Sequence, residues 1–549
     1  MKRLFVLLAL ASCSRESTPP AAPLATMPAA SPAIRMRVHT ETFGSFRLAG
    51  HEPPREIPET KGGGLALFDF DRDGDLDLFV PNSATLESPR RGPGAKLFLN
   101  QGSLRFEDAG ERVAIDFAGW GMGVAVADID ADGWEDLYIA ALGKDVLLHN
   151  DRGLRLRDLT VPAGLTNPRW GTAAAFGDLD GDLDLDLFLV HYLVFDPAQP
   201  PPREQYRGIE VFGGPLSLTP EPDAVFENLG NLRFLEHTAT SGLLEASPGL
   251  GLGCVILDFD GDGRQDIFVG NDSTPKQLFV NQGGWRFAER ALPLGLAVNA
   301  DGAAQATMGI AIADLNNDRR PDIFTTNFAD DTNLLQVSRA SDWEDRTRQY
   351  KLGAVSRPFL GWAAHFADLD LDGDEDLLVF NGHVYAQATS ATMNSEYRQP
   401  ALCFERRGEA FERVQADWLA PAHVDRSAVF GDLDGDGDID AIVAEQHGPL
   451  RLYENLAPPG NWLQIELLDE RPQSKNRRGL GARIEVLQGT QTQTRWIYSG
   501  GSYQAANPAS AHLGFASADP VRVRVHWPDG ALSELSNTSL RQKLRISHP

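Results

Sequence analysis

Cysteine is scarce: Cys13, Cys254 and Cys403 are the three in 549 residues, and no CxxC pair occurs. That excludes a disulfide framework and a thiolate zinc site. Positive charge is also short, with 50 Lys plus Arg against 77 Asp plus Glu, a net charge of −27 and a pI near 4.8. A sequence-independent grip on nucleic-acid phosphates is therefore not expected, and an anionic membrane surface is disfavoured for the same reason. No run of about 18 apolar residues occurs, so no membrane-spanning helix is expected. Catalytic signatures are missing too: there is no HExxH, no GxSxG and no Walker loop, and Gly249-Leu250-Gly251-Leu252-Gly253 lacks the spacing of a dinucleotide loop. What remains is 42% hydrophobic residues with 53 glycines and 35 prolines, the composition of a turn-rich, mostly β chain with more than one core.

The first residues read as an export signal. Met1-Lys2-Arg3 is positive, Leu4 to Leu10 is apolar, and Leu10-Ala11-Ser12-Cys13 follows. This looks like a bacterial lipoprotein signal over 1–12, with Cys13 as the lipidated first residue of the mature chain and a tether rich in Pro, Ala and Ser over 13–35. An ordinary cleaved secretory signal is the other reading. The expected location is the cell envelope, at the outer membrane or surface of a Gram-negative bacterium, with the lipid as sole membrane contact.

The main signal is a nine-residue pattern, D-x-D/N-x-D-G-x-x-D, that recurs seven times between β-prone apolar runs. The copies start about 60 residues apart, which suits four-stranded propeller blades. A second-half motif follows several of them, as in Lys96-Leu97-Phe98-Leu99-Asn100, Val225-Phe226-Glu227-Asn228, Leu278-Phe279-Val280-Asn281 and Leu452-Tyr453-Glu454-Asn455. The seventh copy lacks a final strand, and Gly44-Ser45-Phe46-Arg47-Leu48 echoes Gly102-Ser103-Leu104-Arg105-Phe106. The N-terminal segment is thus expected to close a seven-bladed ring over 36–460, removing the exposed edge.

Side chains at positions one, three, five and nine, with a carbonyl at seven, can converge on one hard cation as EF-hand ligands do. The predicted ligands are Asp69, Asp71, Asp73 and Asp77; Asp128, Asp130, Asp132 and Asp136; Asp178, Asp180, Asp182 and Asp186; Asp258, Asp260, Asp262 and Asp266; Asp314, Asn316, Asp318 and Asp322; Asp368, Asp370, Asp372 and Asp376; and Asp432, Asp434, Asp436 and Asp440. All-oxygen sites suit calcium, so up to seven Ca2+ ions are expected. The usual Gly at position six permits a sharp turn. Leu183 replaces it in the third loop, where a left-handed backbone would cost about 1 kcal/mol or more. The fifth loop lacks both the Gly and one carboxylate, so the loops at Asp178 and Asp314 are expected to bind most weakly.

From Asn461 the character changes: this part carries 11 Lys plus Arg and 7 Asp plus Glu, so its charge is +4 against −31 for residues 1–460. Trp462 to Leu467, Ala482 to Val486 and Val521 to Val525 alternate like half-buried strands, and a small β-sandwich is expected over 461–549. Arg522 and Arg524 would face solvent or the acidic ring. Cys254 reads as a buried thiol, with pairing to Cys403 left open.

These features together resemble a known family. The acidic loops are similar to FG-GAP or VCBS repeats, as in the integrin α-subunit propeller. Asn476 to Arg483, Gly501-Ser502-Tyr503, His512-Leu513-Gly514 and Val525-His526-Trp527-Pro528-Asp529-Gly530 look like an ASPIC and UnbV domain. With Asn271 to Pro275, Thr326-Asn327-Phe328 and Asn381 to Tyr385, the chain resembles the cartilage acidic protein family in a bacterial lipoprotein version. The resemblance implies a seven-bladed calcium-binding propeller engaged in extracellular binding or adhesion, with an envelope or extracellular protein or glycan as partner. Inserts at His191 to Asp223 and Gly382 to Pro400 would lie opposite the acidic loops and form the binding surface. His191 and His383 begin these inserts, and hydrogen bonding is their expected role. The alternatives are an extracytoplasmic hydrolase or tailoring enzyme with its site in the central channel, or an envelope assembly factor.

Overall fold

The β-prone runs flanking each acidic loop pair with one another, because a nine-residue turn returns the chain antiparallel. In the computed structural model, which describes residues 34–89, 91–110 and 112–549, this builds seven sheets, each with a core of four antiparallel strands and three of them with a short fifth strand. Cys13, the 1–12 signal and most of the 13–35 tether lie outside the described residues. Ile34, assigned to the tether by sequence, is fully buried, so the folded part begins there.

Blade 1 contains Leu65–Phe68, Asp77–Val80, Lys96–Asn100 and Phe106–Asp108; blade 2 Gly121–Ala127, Asp136–Ala141, Val146–Asn150 and Arg155–Asp158. Blade 3 contains Gly171–Gly177, Asp186–His191, Ala224–Asn228 and Phe234–Glu236; blade 4 Gly251–Leu257, Asp266–Asn271, Gln277–Asn281 and Phe287–Glu289. Blade 5 contains Ile310–Ala313, Asp322–Thr325, Leu334–Ser338 and Trp343–Asp345; blade 6 Gly361–Ala367, Asp376–Asn381, Leu402–Arg407 and Ala410–Arg413. Blade 7 contains Asp425–Gly431, Asp440–Glu445 and Leu450–Asn455, and Met36–His39 pairs antiparallel with the last of these as its outer strand. The N-terminal segment therefore closes the ring through residues 36–39. Gly44 to Leu48 form no strand, and Phe43 and Leu48 pack into the core between blades 7 and 1.

Each innermost strand neighbours the next around the ring, and that of blade 7 neighbours that of blade 1. The crowding explains the glycines there: a Cβ on Gly64 would lie 1.9 Å from the Met122 carbonyl, and one on Gly309 2.0 Å from that of Trp362. Apolar residues fill the spaces between blades, as where Phe79 and Leu97 of blade 1 meet Leu137 and Ile139 of blade 2. Cys254 lies between blades 3 and 4 and Cys403 between blades 6 and 7, both as buried free thiols.

The C-terminal domain is a sandwich. Asn461–Leu468, Ser510–Phe515 and Gln542–Ser547 form one sheet, and Arg483–Gln488, Gln491–Trp496, Val521–His526 and Leu532–Thr538 the other. Leu463, Ile465, Ile484, Leu513 and Val523 fill its interior. Arg522 and Arg524 lie on a solvent-facing strand surface, where both reach the partly exposed Glu534 on the adjacent strand, at 3.8 and 2.9 Å.

One loop of this domain enters the ring. Ser499 and Gly500 add antiparallel to the innermost strand of blade 4, and Ala505 and Ala506 parallel to that of blade 1. Ser502 exchanges backbone hydrogen bonds of 2.7 and 2.8 Å with Ile310 of blade 5, while its hydroxyl donates to the Ala428 carbonyl of blade 7 at 3.0 Å. Tyr503, fully buried, donates to the Lys61 carbonyl at 2.8 Å and meets Trp362 edge-on at 4.7 Å. Met122, Leu252, Met308 and Trp362 join Tyr503 in one buried cluster, so the channel is filled at this level.

Candidate metal centres

In every blade the acidic loop joins the innermost strand to the second, and its ninth residue is the first residue of that second strand. Local hydrogen bonds shape the loop. The first carboxylate accepts from the backbone N–H of the sixth residue, as Asp69 does from Gly74 at 3.2 Å and Asp368 from Gly373 at 2.8 Å. That turn needs a left-handed sixth residue. Gly74 has φ +97°, while Leu183 and Arg319 adopt +74° and +65°. Leu183 thus follows the path of the glycine loops and still donates to Asp178, at 3.1 Å. The fourth residue is left-handed as well, from Asn317 at +58° to Gly181 at +86°, a requirement the sequence pattern did not reveal.

The ninth carboxylates are 0–2% exposed. One oxygen of each accepts from a third-strand N–H at 2.7–2.9 Å, donated in turn by Asn100, Asn150, Asn228, Asn281, Ser338, Arg406 and Asn455. The asparagine side chains do a second job. Asn100, Asn150, Asn228, Asn281 and Asn455 each donate to the carbonyl of the second loop residue in the preceding blade, over 2.8–3.2 Å. Arg406 makes the same link to Leu315 at 2.6 Å. The recurrent Asn was visible in the sequence, but its partner lies in another blade.

Ligand oxygens converge. Atoms of Asp69, Asp71 and Asp77, of Asp128, Asp130 and Asp132, of Asp178, Asp180 and Asp186, and of Asp258, Asp260 and Asp262 lie within 4.8 Å of one another. Several point inward with no hydrogen-bond partner, including Asp71 Oδ1, Asp128 Oδ1, Asp136 Oδ2, Asp370 Oδ1 and Asp432 Oδ2. Burial pushes the ninth carboxyls up, Asp77 and Asp266 to about 8, Asp322 to about 7, and Asp186, Asp376 and Asp440 well above their usual range. A cation among them would hold them ionised. Bare buried oxygens in an anionic, all-oxygen cage fit a hard dication, so these clusters can hold a metal ion.

The fifth loop differs. Asn316 Nδ2 donates to Asp318 at 3.0 Å, and the Ser338 hydroxyl donates to both Asp318 and Asp322 at 2.9–3.1 Å. Side-chain donors of this blade therefore crowd its fifth and ninth carboxylates. Sequence reasoning also missed the residue before the recurrent Asn. There His149 approaches Asp136, and Glu227, Glu405 and Glu454 raise Asp180, Asp370 and Asp434 after the larger effect of burial.

Residues 69–139, 128–189, 258–325 and 314–379 match the FG-GAP-like repeat, and residues 472–549 match the ASPIC and UnbV family. The chain is an FG-GAP repeat protein with an ASPIC and UnbV domain. Cartilage acidic protein 1 of Mus musculus is 25% identical over 523 residues, covering 88% of this chain and 74% of that protein. The Homo sapiens protein is 24% identical over 524 residues, with 88% and 72% covered. A solved Agrocybe aegerita lectin that recognises non-reducing terminal N-acetylglucosamine aligns at TM-score 0.39 and 14% identity, over 74% of this chain and 89% of that one. The seventh FG-GAP loop, from Asp432, lies outside the matched segments yet has the same ninth-residue bonds.

The ASPIC and UnbV domain sits on the acidic face. Lys475 approaches Asp184 at 3.5 Å, Arg477 Asp128 at 3.5 Å, Arg478 Glu135 at 3.3 Å and Arg495 Glu375 at 3.2 Å. Its positive charge thus meets the FG-GAP loops.

The two long inserts follow second strands and lie on the opposite face. Tyr206 and Phe212 from one pack on Tyr385 from the other at 5.6 and 4.9 Å, closing the channel from that side. Beneath them a buried Lys61 Nζ lies 3.0 Å from Asp272, which also accepts from Tyr192 at 2.6 Å. His191 and His383 are fully buried, and burial brings both down to about 3, so they are neutral hydrogen-bonding groups.

Proposed function

We propose that this protein is an exported, lipid-anchored, calcium-loaded propeller that binds an extracellular or envelope protein or glycan through the face bearing the inserts. The observation that carries the reading is the closure of the channel: Tyr503 and Trp362 fill it, while the ASPIC and UnbV domain covers the acidic loops. What remains open is a rigid outer face. On it, Val194 and Leu216 of the first insert are 55% and 71% exposed, apolar side chains at a site where folding gains nothing from them. In this reading calcium occupies the loops and stiffens the scaffold, and Cys13 holds it to the membrane.

The test is retention of envelope polysaccharide or envelope protein on immobilised protein in ~1 mM calcium. Leu216→Asp and Val194→Asp should weaken retention at least about tenfold, or ~1.4 kcal/mol. No retention, or retention indifferent to both substitutions, overturns the binding surface. In cells, Cys13→Ala should move the protein from the membrane fraction to the soluble fraction, and unchanged membrane association overturns the anchor.

A further inference from the structure

The loop of blade 2 differs from its six relatives in one donor. The position before the recurrent third-strand Asn is occupied in blade order by Leu99, His149, Glu227, Val280, Val337, Glu405 and Glu454, of which His149 and the three glutamates act on loop carboxylates while Leu99, Val280 and Val337 pack in the core. Blade 2 alone offers a nitrogen. His149 Nδ1 lies 2.9 Å from Asp136 Oδ1 and 3.9 Å from Asp130 Oδ2, so one oxygen of each carboxylate and a ring nitrogen meet within 4.8 Å.

A second observation marks the spot as incomplete. The second-residue N–H groups of Phe70, Leu179, Phe259, Leu315, Leu369 and Leu433 donate to Oδ2 of the ninth carboxylate in their loops, at 2.8–3.0 Å. Asp136 Oδ2 has no partner although the residue is 0% exposed, and Asp128 Oδ1 has none although that residue is 4% exposed. A hydrogen-bonded Asp–His pair accounts for Oδ1 and leaves these two oxygens bare. Arg477, 3.5 Å from Asp128 Oδ2, removes part of the negative charge that a calcium ion would use.

We propose that the blade 2 loop is a mixed nitrogen and oxygen centre that takes a first-row transition dication, of the Mn2+ to Zn2+ class, in preference to calcium. Calcium takes oxygen ligands, whereas imidazole favours the borderline dications and carboxylates alone do not. Asp128, Asp130, Asp132 and Asp136 would supply oxygens and His149 the selecting nitrogen. The inference rests on the reading of the loops as cation sites.

The experiment uses the full chain, stripped with chelator, returned to ~1 mM calcium and titrated with Co2+ alone, reading ligand-field absorption and equivalents bound. The expected result is one equivalent of Co2+ that excess calcium does not displace and that Zn2+ bleaches. His149→Gln, which keeps a hydrogen-bond donor beside Asp136, and His149→Leu, which copies blade 1, should each weaken Co2+ at least about tenfold while preserving calcium-dependent melting. Wild-type protein that takes no Co2+ under calcium, or variants that bind it equally well, overturn the inference. Absence of calcium-dependent melting in the wild type overturns the reading of the loops themselves.

Discussion

Truncating Tyr503 to alanine asks whether one C-terminal loop fastens the ring. The side chain is fully buried at the axis, where it packs on Trp362 and donates to the Lys61 carbonyl at 2.8 Å. Removing a buried aromatic ring costs about 3–5 kcal/mol with its cavity. Leaving the Lys61 carbonyl without a donor adds ~1–3 kcal/mol. The sum, roughly 5 kcal/mol or more, rivals the whole stability of many domains. Tyr503→Phe keeps the ring and loses only the hydroxyl, for about 1–2 kcal/mol. Urea unfolding in ~1 mM calcium, followed by tryptophan fluorescence, should rank wild type above phenylalanine and phenylalanine above alanine. Limited proteolysis should cut the alanine variant first around Leu456 to Asn461, between ring and sandwich. An alanine cost under about 1 kcal/mol, or equal costs for both variants, refutes the idea that the filled axis joins the domains.

Other consequences are open to measurement. Melting in chelator and then in ~1 mM calcium should differ by many degrees, because an ion at ten times its dissociation constant adds ~1.4 kcal/mol per site, and an unchanged melt of verified metal-free protein refutes calcium loading. Asn281→Ala should cost about 2–3 kcal/mol, since Asn281 Nδ2 links Leu179 of blade 3 and Gln265 of its own blade at 2.8 and 3.0 Å; a cost near zero in urea unfolding refutes the link between blades. Burial pushes the Glu445 carboxyl up, but His423, Arg451 and Arg398 overcome this and bring it down from 4.5 to about 2. Its contribution, roughly 3 kcal/mol by linkage, is complete above the unfolded pKa and disappears as pH falls from about 4.5 towards 2. The stability gap between wild type and Glu445→Gln should therefore narrow across that window, and a constant gap refutes the assignment.

What could be read from sequence was local. The nine-residue loop carries its own turn logic, from the first carboxylate to the sixth N–H, so its copies placed seven pairs of strands and the acidic clusters between them. The strand that closes blade 7 was harder: Gly44 to Leu48 matched a motif, yet Met36–His39 pairs with Leu450–Asn455. Four residues in an edge strand carry little pattern, and pairing across more than 400 positions leaves no local trace. Tyr503 is a similar case. Its neighbours on the page are Ser502 and Gln504, while its neighbours in space are Lys61 and Trp362. The central glycines, unpromising as a nucleotide loop, become intelligible once the innermost strands are seen to touch.

The charge asymmetry then acquires a structural meaning. Residues 1–460 carry −31 and the remainder +4, and the cations of the sandwich divide the loop carboxylates with the ions those loops can hold. Lys475, Arg478 and Arg495 reach positions seven and eight, through Asp184, Glu135 and Glu375. Arg477 and Lys543 stand off from the first carboxylates of two loops at 3.5 and 4.0 Å. None of these five reaches a ninth carboxylate, each of which is at most 2% exposed. Side-chain cations thus neutralise the rim and leave the base of each loop to an ion of the kind those clusters can hold. Loss of the ions would leave like charges repelling one another directly beneath the docked sandwich, so metal release and loosening of the ASPIC and UnbV domain should occur as one event.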